Sequence, residues 1–335
     1  MPSTVIAERI GWTGSVRWLR EHVAKIRPEI RPADPSDRIT WLPGNAAHCD
    51  LWFPPQKIPL GQDPASLMPV LVMTLAHSRF TAARMIPSRH TEVLLLGMWE
   101  LLQQFERVPR RLIWDNEAGI GRGKKHAVGV EQFMGSLGTK LVLLPPRDPE
   151  SKGIVERRND FYERSFMPGR QFESPQDFNE QLSTWIRKAN TRMVRTIRRT
   201  PMELLDTDRK AMLPLPPAVF DLGWRQQVRL PRDYYVRVAT CDYSVAPQAI
   251  GRMVDVSADL ERVKVRCGGK LMADHPRSWA KHLTVTDPQH VAAAALLRQA
   301  FQARATRQEQ EESLIRDLSE YDRAFGLHHI EGLGA

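Results

Sequence analysis

The sequence predicts a layered α/β core with a mixed sheet, preceded by a small helical unit and followed by a small β-barrel with a helical tail. Three observations carry that prediction. Apolar runs at hairpin spacing around Ala46 to Phe53, in "MPVLVMTLA" and in "FTAARMI" give way to alternating helical and strand patterns up to "KLVLLPP". That order, strands first and then helix alternating with strand, is the one that packs helices on a mixed sheet. From about residue 222 to 285 the pattern turns to period two, in "YYVRVAT", "DYSVAP", "RMVDVSAD" and "RVKVRCGGKLMADH", with Gly, Pro and Asp between the strands. Short strands with such turns build small barrels. A length of 335 residues accommodates two or three such units.

Taken in order, residues 1–27 read as a partial helix-turn-helix: a short helix, a turn at Gly11 to Gly14, and a second helix starting near Ser15 as N-cap. The second helix offers Arg17 and Arg20 to DNA as a recognition helix would. Such a unit normally has a third helix, so the chain is expected to begin partway through a domain. A proline-bearing linker spans 28–44, and the α/β core 45–173. Inside the core, "EVLLLGMWELLQQFER" carries apolar residues at helical spacing, "RRLIWDN" is a buried strand ending at Asp115, and a helix lies about Val128 to Leu137. Residues 174–221 read as a helical and then basic linker, with Arg192, Arg195, Arg198 and Arg199 placed to follow a phosphate backbone. The barrel occupies 222–285, with a tight hairpin at Gly268-Gly269, and amphipathic helices fill 286–335.

Composition excludes several classes. No apolar run reaches the length of a membrane span and the N-terminus has no signal-peptide core, so a cytoplasmic location is expected. The three cysteines, Cys49, Cys241 and Cys267, are not in CxxC spacing, which argues against a disulfide framework or a structural zinc site. A net charge of +9 favours a polyanionic partner. The glycines of "GIGRGKKH" do not complete a nucleotide-binding loop, because Lys124 is followed by Lys125 where Ser or Thr is needed. That stretch reads instead as a flexible basic loop that touches DNA through Arg122, Lys124 and Lys125.

Three carboxylates stand out by placement: Asp50 in the first core strand, Asp115 at the end of a later strand, and Glu156 on the helix after "PPRDPESKG". In an RNase H-like layer the first strand is central and the strand of Asp115 lies beside it. The helix crosses near their ends, so the three acids meet. Carboxylates crowded in one cleft repel unless a hard divalent cation neutralises them, and an oxygen-only set suits Mg²⁺ or Mn²⁺. Two such ions support in-line displacement at phosphorus. Asp160, one turn beyond Glu156, is the nearest rival for the third position. Each acid also has an ordinary explanation, as strand edge, turn former or dipole partner.

The set "HCDLWFPP", "LIWDNEAGI" and "PPRDPESKGIVERR" resembles the DDE catalytic core of retroviral integrases and bacterial transposases. The continuation "RDYYVRVATCDYSVAPQAIGRMVDVSADLERVKV" resembles the C-terminal barrel of IstA transposases of insertion sequences, relatives of phage Mu transposase. The resemblance implies that Asp50, Asp115 and Glu156 are catalytic metal ligands for two Mg²⁺ or Mn²⁺ ions. It implies that Asn116 shapes the strand end, that Lys152 marks a close DNA approach, and that Arg157 and Arg158 reach phosphates. The 41 residues from Asp115 to Glu156 match the family spacing, slightly lengthened. His48 stands where the family commonly has Gln. The implied activity is 3′-end cleavage and strand transfer of element ends into target DNA, by a homo-oligomer working with an AAA+ ATPase helper. The alternative is a shortened, catalytically idle DNA-binding remnant.

Overall fold

The structure is a computed structural model that describes residues 1–30, 40–61, 63–123, 125–144, 155–218, 222–312 and 325. Side chains are described for all of these except 63, 155–158 and 305–312. The chain forms two compact units, residues 1–40 and 41–335.

In the first unit, α1 (Ser3–Arg9) and α2 (Val16–Ile30) are joined through Gly11, whose φ of +63° suits the left-handed turn. Ser15 takes the expected capping place, its Oγ accepting the Trp18 backbone N–H at 3.4 Å. Leu19 is the buried residue of α2. The helix continues through Pro28 to Ile30, beyond the proline expected to open the linker.

The second unit begins with β1 (Ala46–Trp52), the hairpin β2 (Ile58–Leu60) and β3 (Asp63–Ser66), β4 (Val70–Leu75) and β5 (Thr81–Met85). Then come α3 (Thr91–Phe105), β6 (Arg107–Val108), β7 (Arg111–Trp114), β8 (Gly121–Arg122), β9 (Lys125–His126), α4 (Val130–Leu137) and β10 (Lys140–Leu143). They are followed by α5 (Val155–Ser165), α6 (Pro175–Asn190), α7 (Pro201–Ala211) and β11 (Leu213–Pro214). Five strands form one sheet in the order β10-β7-β1-β4-β5. β1 is central, parallel to β7 and antiparallel to β4, as an RNase H-like core requires. Strand alternation then sorts the side chains. Ala47, Cys49, Leu71 and Met73 join α3 and α4 in one core, while Trp52, Val70, Val72 and Met85 join α5 and α6 in the other.

The edge strand β5 would present unpaired backbone to solvent, and α6 covers it with two asparagines. Asn190 accepts from Thr81 N–H at 3.1 Å and donates to Thr81 O at 2.9 Å. Asn179 does the same for Met85, at 2.7 and 3.2 Å.

The region read as a basic linker is in part a structural piece of this core. α7 opens with a capping box between Thr200 and Glu203 and buries Leu205. Asp208, 1% exposed, accepts the backbone N–H of Gly44 at 2.6 Å and of Ser78 at 3.0 Å. A sequence pattern of mixed polar residues hides such a long-range pair.

The C-terminal strands are β12 (Trp224–Arg229), β13 (Tyr235–Val238), β14 (Cys241–Ser244), β15 (Met253–Ala258), β16 (Arg262–Cys267), β17 (Lys270–Pro276) and β18 (Thr284–Val285). They make a four-stranded sheet β12-β15-β16-β17 and a three-stranded sheet β13-β14-β18 around one apolar core. The expected barrel is thus two separate ladders, stitched by Ala246 N–H to Met272 O at 3.1 Å. Gly268 and Gly269 have φ of +55° and +78°, the backbone of the predicted tight hairpin. The long helix α8 (Pro288–Glu312) follows. Among the described residues no helix is long and apolar enough to cross a membrane.

Candidate active site

The β1–β7 register pairs Ala46 with Arg111 and Cys49 with Trp114. One further step brings Asp50 and Asp115 to equivalent positions on neighbouring parallel strands, about 4.8 Å apart in backbone. Cys49 and Trp114 enter the core under α3 and α4, so alternation turns the next residue on each strand to the opposite face. Asp50 is registered opposite Val72, which belongs to the core under α5 and α6. Both aspartates are half-buried.

On that face lies α5. Its buried side is set by Tyr162, which stacks on Trp52 at 5.1 Å and meets Thr81 Oγ1 at 3.0 Å, and by Phe166. Trp52 Nε1 donates to Glu163 at 3.3 Å. Asn159, on the same side, donates from Nδ2 to Asp50 Oδ2 at 2.8 Å. Its Oδ1 is buried and, among the described residues, has no hydrogen-bond partner. Glu156 precedes Asn159 by three residues, so helical spacing sets its backbone over the same face. The side chains of Glu156, Arg157 and Arg158 lie outside the described residues, as do Lys124 and Lys152. Asp160 is exposed and pairs with Arg164 at 2.7 Å.

Asn116 organises the strand end. Its backbone N–H donates to Asp115 Oδ1 at 2.8 Å, its Nδ2 to Leu144 O at 2.7 Å, and its Oδ1 accepts Gly123 N–H at 3.0 Å. The stretch expected to be a flexible basic loop is accordingly a short hairpin, β8–β9, tied down by Asn116. Arg122 and Lys125 are exposed on it. Among the described residues no three His, Cys, Asp or Glu side chains gather around a metal position. The side chains that the strand register and the Asn159 hydrogen bond bring near one another, Asp50, Asp115 and Asn159, carry oxygen atoms, the donor type a hard cation takes.

His48, two residues before Asp50 on the same strand face, is 3% exposed, and among the described residues neither ring nitrogen has a partner. Burial, with Arg79 as a second cause, lowers its pKa to about 4. Cys49, on the other face, is held as a thiol by burial and by the neighbouring Asp50.

The basic positions are dispersed. Arg17 and Arg20 are exposed on α2, with Arg17 3.4 Å from Glu21. Arg192, Arg195, Arg198 and Arg199 are exposed on a compact turn between α6 and α7, closed by Val194 N–H to Arg199 O at 3.0 Å. Sequence reasoning missed Asn159, because nothing local to it signals a contact 109 residues away at Asp50.

Residues 215–287 match the family described as Mu transposase, C-terminal domain. The transposase for insertion sequence element IS21 of Pseudomonas aeruginosa is 25% identical over 84% of this chain and 74% of its own length. The chain is thus similar to transposases of insertion sequences. The transposase for insertion sequences IS1326/IS1353 of Shigella flexneri is 26% identical over 61% of this chain and 41% of its own length. Across the curated relatives, the chain spans between 41% and 74% of their length. Among solved structures, the catalytic core domain of BIV integrase aligns with a TM-score of 0.39 and 17% identity, covering 50% of this chain and 97% of that one.

Proposed function

We propose that this protein is a DDE transposase that cuts the 3′ ends of an insertion sequence and joins the freed hydroxyls to target DNA. The observation that carries the reading is the parallel register bringing Asp50 and Asp115 together beneath α5, the helix of Glu156, with Asn159 bonded to Asp50. Asp50, Asp115 and Glu156 would hold two Mg²⁺ or Mn²⁺ ions, which supply charge neutralisation for in-line displacement at phosphorus. Asn159 fixes the rotamer of Asp50, and Asn116 holds the strand end that carries Asp115. Arg122, Lys124, Lys125, Lys152, Arg157 and Arg158 then face the reacting DNA, and the arginine turn and α2 bind it elsewhere. The protein works as a homo-oligomer on paired ends with an AAA+ ATPase helper, in the cytoplasm.

The test is strand joining in vitro, with Mg²⁺ or Mn²⁺, pre-cut DNA from the flanks of the coding sequence and a plasmid target. Joining by the parent and none by Glu156→Gln, with DNA affinity kept, is the expected result. Joining that survives Glu156→Gln overturns the ligand assignment. Binding without joining by the parent favours an idle DNA-binding remnant.

A further inference from the structure

We infer that the cleft between the segment leading into α3 and the C-terminal strands receives a single unpaired nucleotide of the DNA. The inference rests on the proposed action on DNA and adds a subsite to it. The cleft has a volume of about 390 Å³ and is lined by Ser88 and His90 on one side and by Trp224, Arg277, Trp279 and Lys281 on the other. That is within the range of small-ligand sites, about 300–1,000 Å³.

Its chemistry matches a nucleotide in two respects. Arg277 is half-buried, and Nη1 donates to the backbone carbonyl of Asp259. Burial lowers its pKa, against the opposing charges of Tyr243, Asp259 and Cys241. A half-buried guanidinium on a cleft wall can donate charge-assisted hydrogen bonds to an incoming phosphate. Glu92 is the acid of the lining, set against Arg277 and Lys281. Second, the partly exposed indoles of Trp224 and Trp279 give the cleft flat apolar walls of the kind on which bases stack. Trp279 is held in place by its Nε1, which donates to Leu260 O at 3.1 Å.

Position supplies the third argument. Arg89 belongs to the same segment as Ser88 and His90, with its guanidinium 5.8 Å from the Phe53 ring centre and 3.6 Å from Glu117. Phe53 follows Asp50 by three residues, and Glu117 follows Asp115 by two. Gly119 lies so close that an added Cβ would stand 2.3 Å from Arg89 O. One side of the segment therefore borders the carboxylate end of the sheet, and the other lines the cleft. A base still in its stack cannot reach these walls, whereas one turned out of the helix beside the reacting phosphate can.

The experiment compares two labelled duplexes from the flanks of the coding sequence, one blunt and one with an unpaired nucleotide next to the 3′ end. Affinities are read by fluorescence anisotropy with Ca²⁺ in place of Mg²⁺, for the parent, Arg277→Gln and Trp224→Leu. The parent is expected to prefer the unpaired end by about tenfold, within what one base stacked on an aromatic ring provides. Each variant is expected to lose that preference while keeping the parent's affinity for blunt DNA and its thermal unfolding midpoint. If the parent shows no preference, or the preference survives in both variants, the cleft is not a nucleotide site. An equal loss on both duplexes would make Arg277 a general phosphate contact and also overturn the inference. Failure to bind either DNA defeats the proposed function itself, which the blunt duplex reports separately.

Discussion

Asp208 and Asp50 belong to the same core, yet their carboxylates are used differently. Asp208 is closed in: its two oxygens take the backbone N–H groups of Gly44 and Ser78, joining α7 to the segments before β1 and after β4. Asp50 is half-buried and accepts the side-chain amide of Asn159 at 2.8 Å. A carboxylate saturated by backbone donors fixes architecture and has little capacity for anything else. Asp50 instead sits half-buried on β1 beside the strand of Asp115, the place where the proposed cation would be held, and that difference in placement separates the two acids.

Mutations can break or sharpen this contrast. The largest effect is expected from Asp50→Asn, which should abolish strand joining while leaving urea unfolding close to the parent's. A large stability loss would place Asp50 with the structural acids. Asn159→Leu removes the amide that orients Asp50 and should lower joining about 10–100-fold, as loss of a partner to a metal ligand does. Because the amide acts by positioning, part of the loss should appear as a higher Mn²⁺ concentration needed for half-maximal joining. An unchanged metal requirement would speak against that role. Asp208→Ala should cost about 3 kcal/mol in stability, two charged hydrogen bonds at the low end of their range. Near-parent stability in a urea titration would show that the two amides find other partners.

The smallest effect concerns His48. Its pKa is about 4 in the folded chain against 6.5 for a free imidazole. The unfolded state therefore binds the proton first on acidification, so the stability contribution present above about pH 6.5 is lost as pH falls towards 4. Parent protein should lose more stability between pH 7 and pH 5 than His48→Phe does. Parallel losses would mean that the imidazole is solvated in the native state.

Much of the core was legible because burial imposes periodicity. The runs that became β1, β4 and β5, the helix α3 and the strand ending at Asp115 all announce which face is apolar, and spacing alone separates helix from strand. The twin glycines 268 and 269 announced their turn, since each adopts a positive φ. Asn159 and Asp208 were not legible as partners. Each is one polar residue on a helix, and nothing local says that its contact lies 109 or 164 residues away, at Asp50 or Gly44. The β8–β9 hairpin was misread as a flexible loop for the same reason: its anchor is Asn116, outside the stretch itself.

By itself, then, the sequence determined the order of elements, the apolar faces and the positions of the three acids, because those follow from local propensity and the periods of helix and strand. Tertiary structure alone decided the register that sets Asp50 beside Asp115, the hydrogen bond from Asn159 to Asp50, and the cleft that brings Arg277 together with Trp224 and Trp279. Those are relations between segments distant along the chain, and they exist only once packing has brought the segments together.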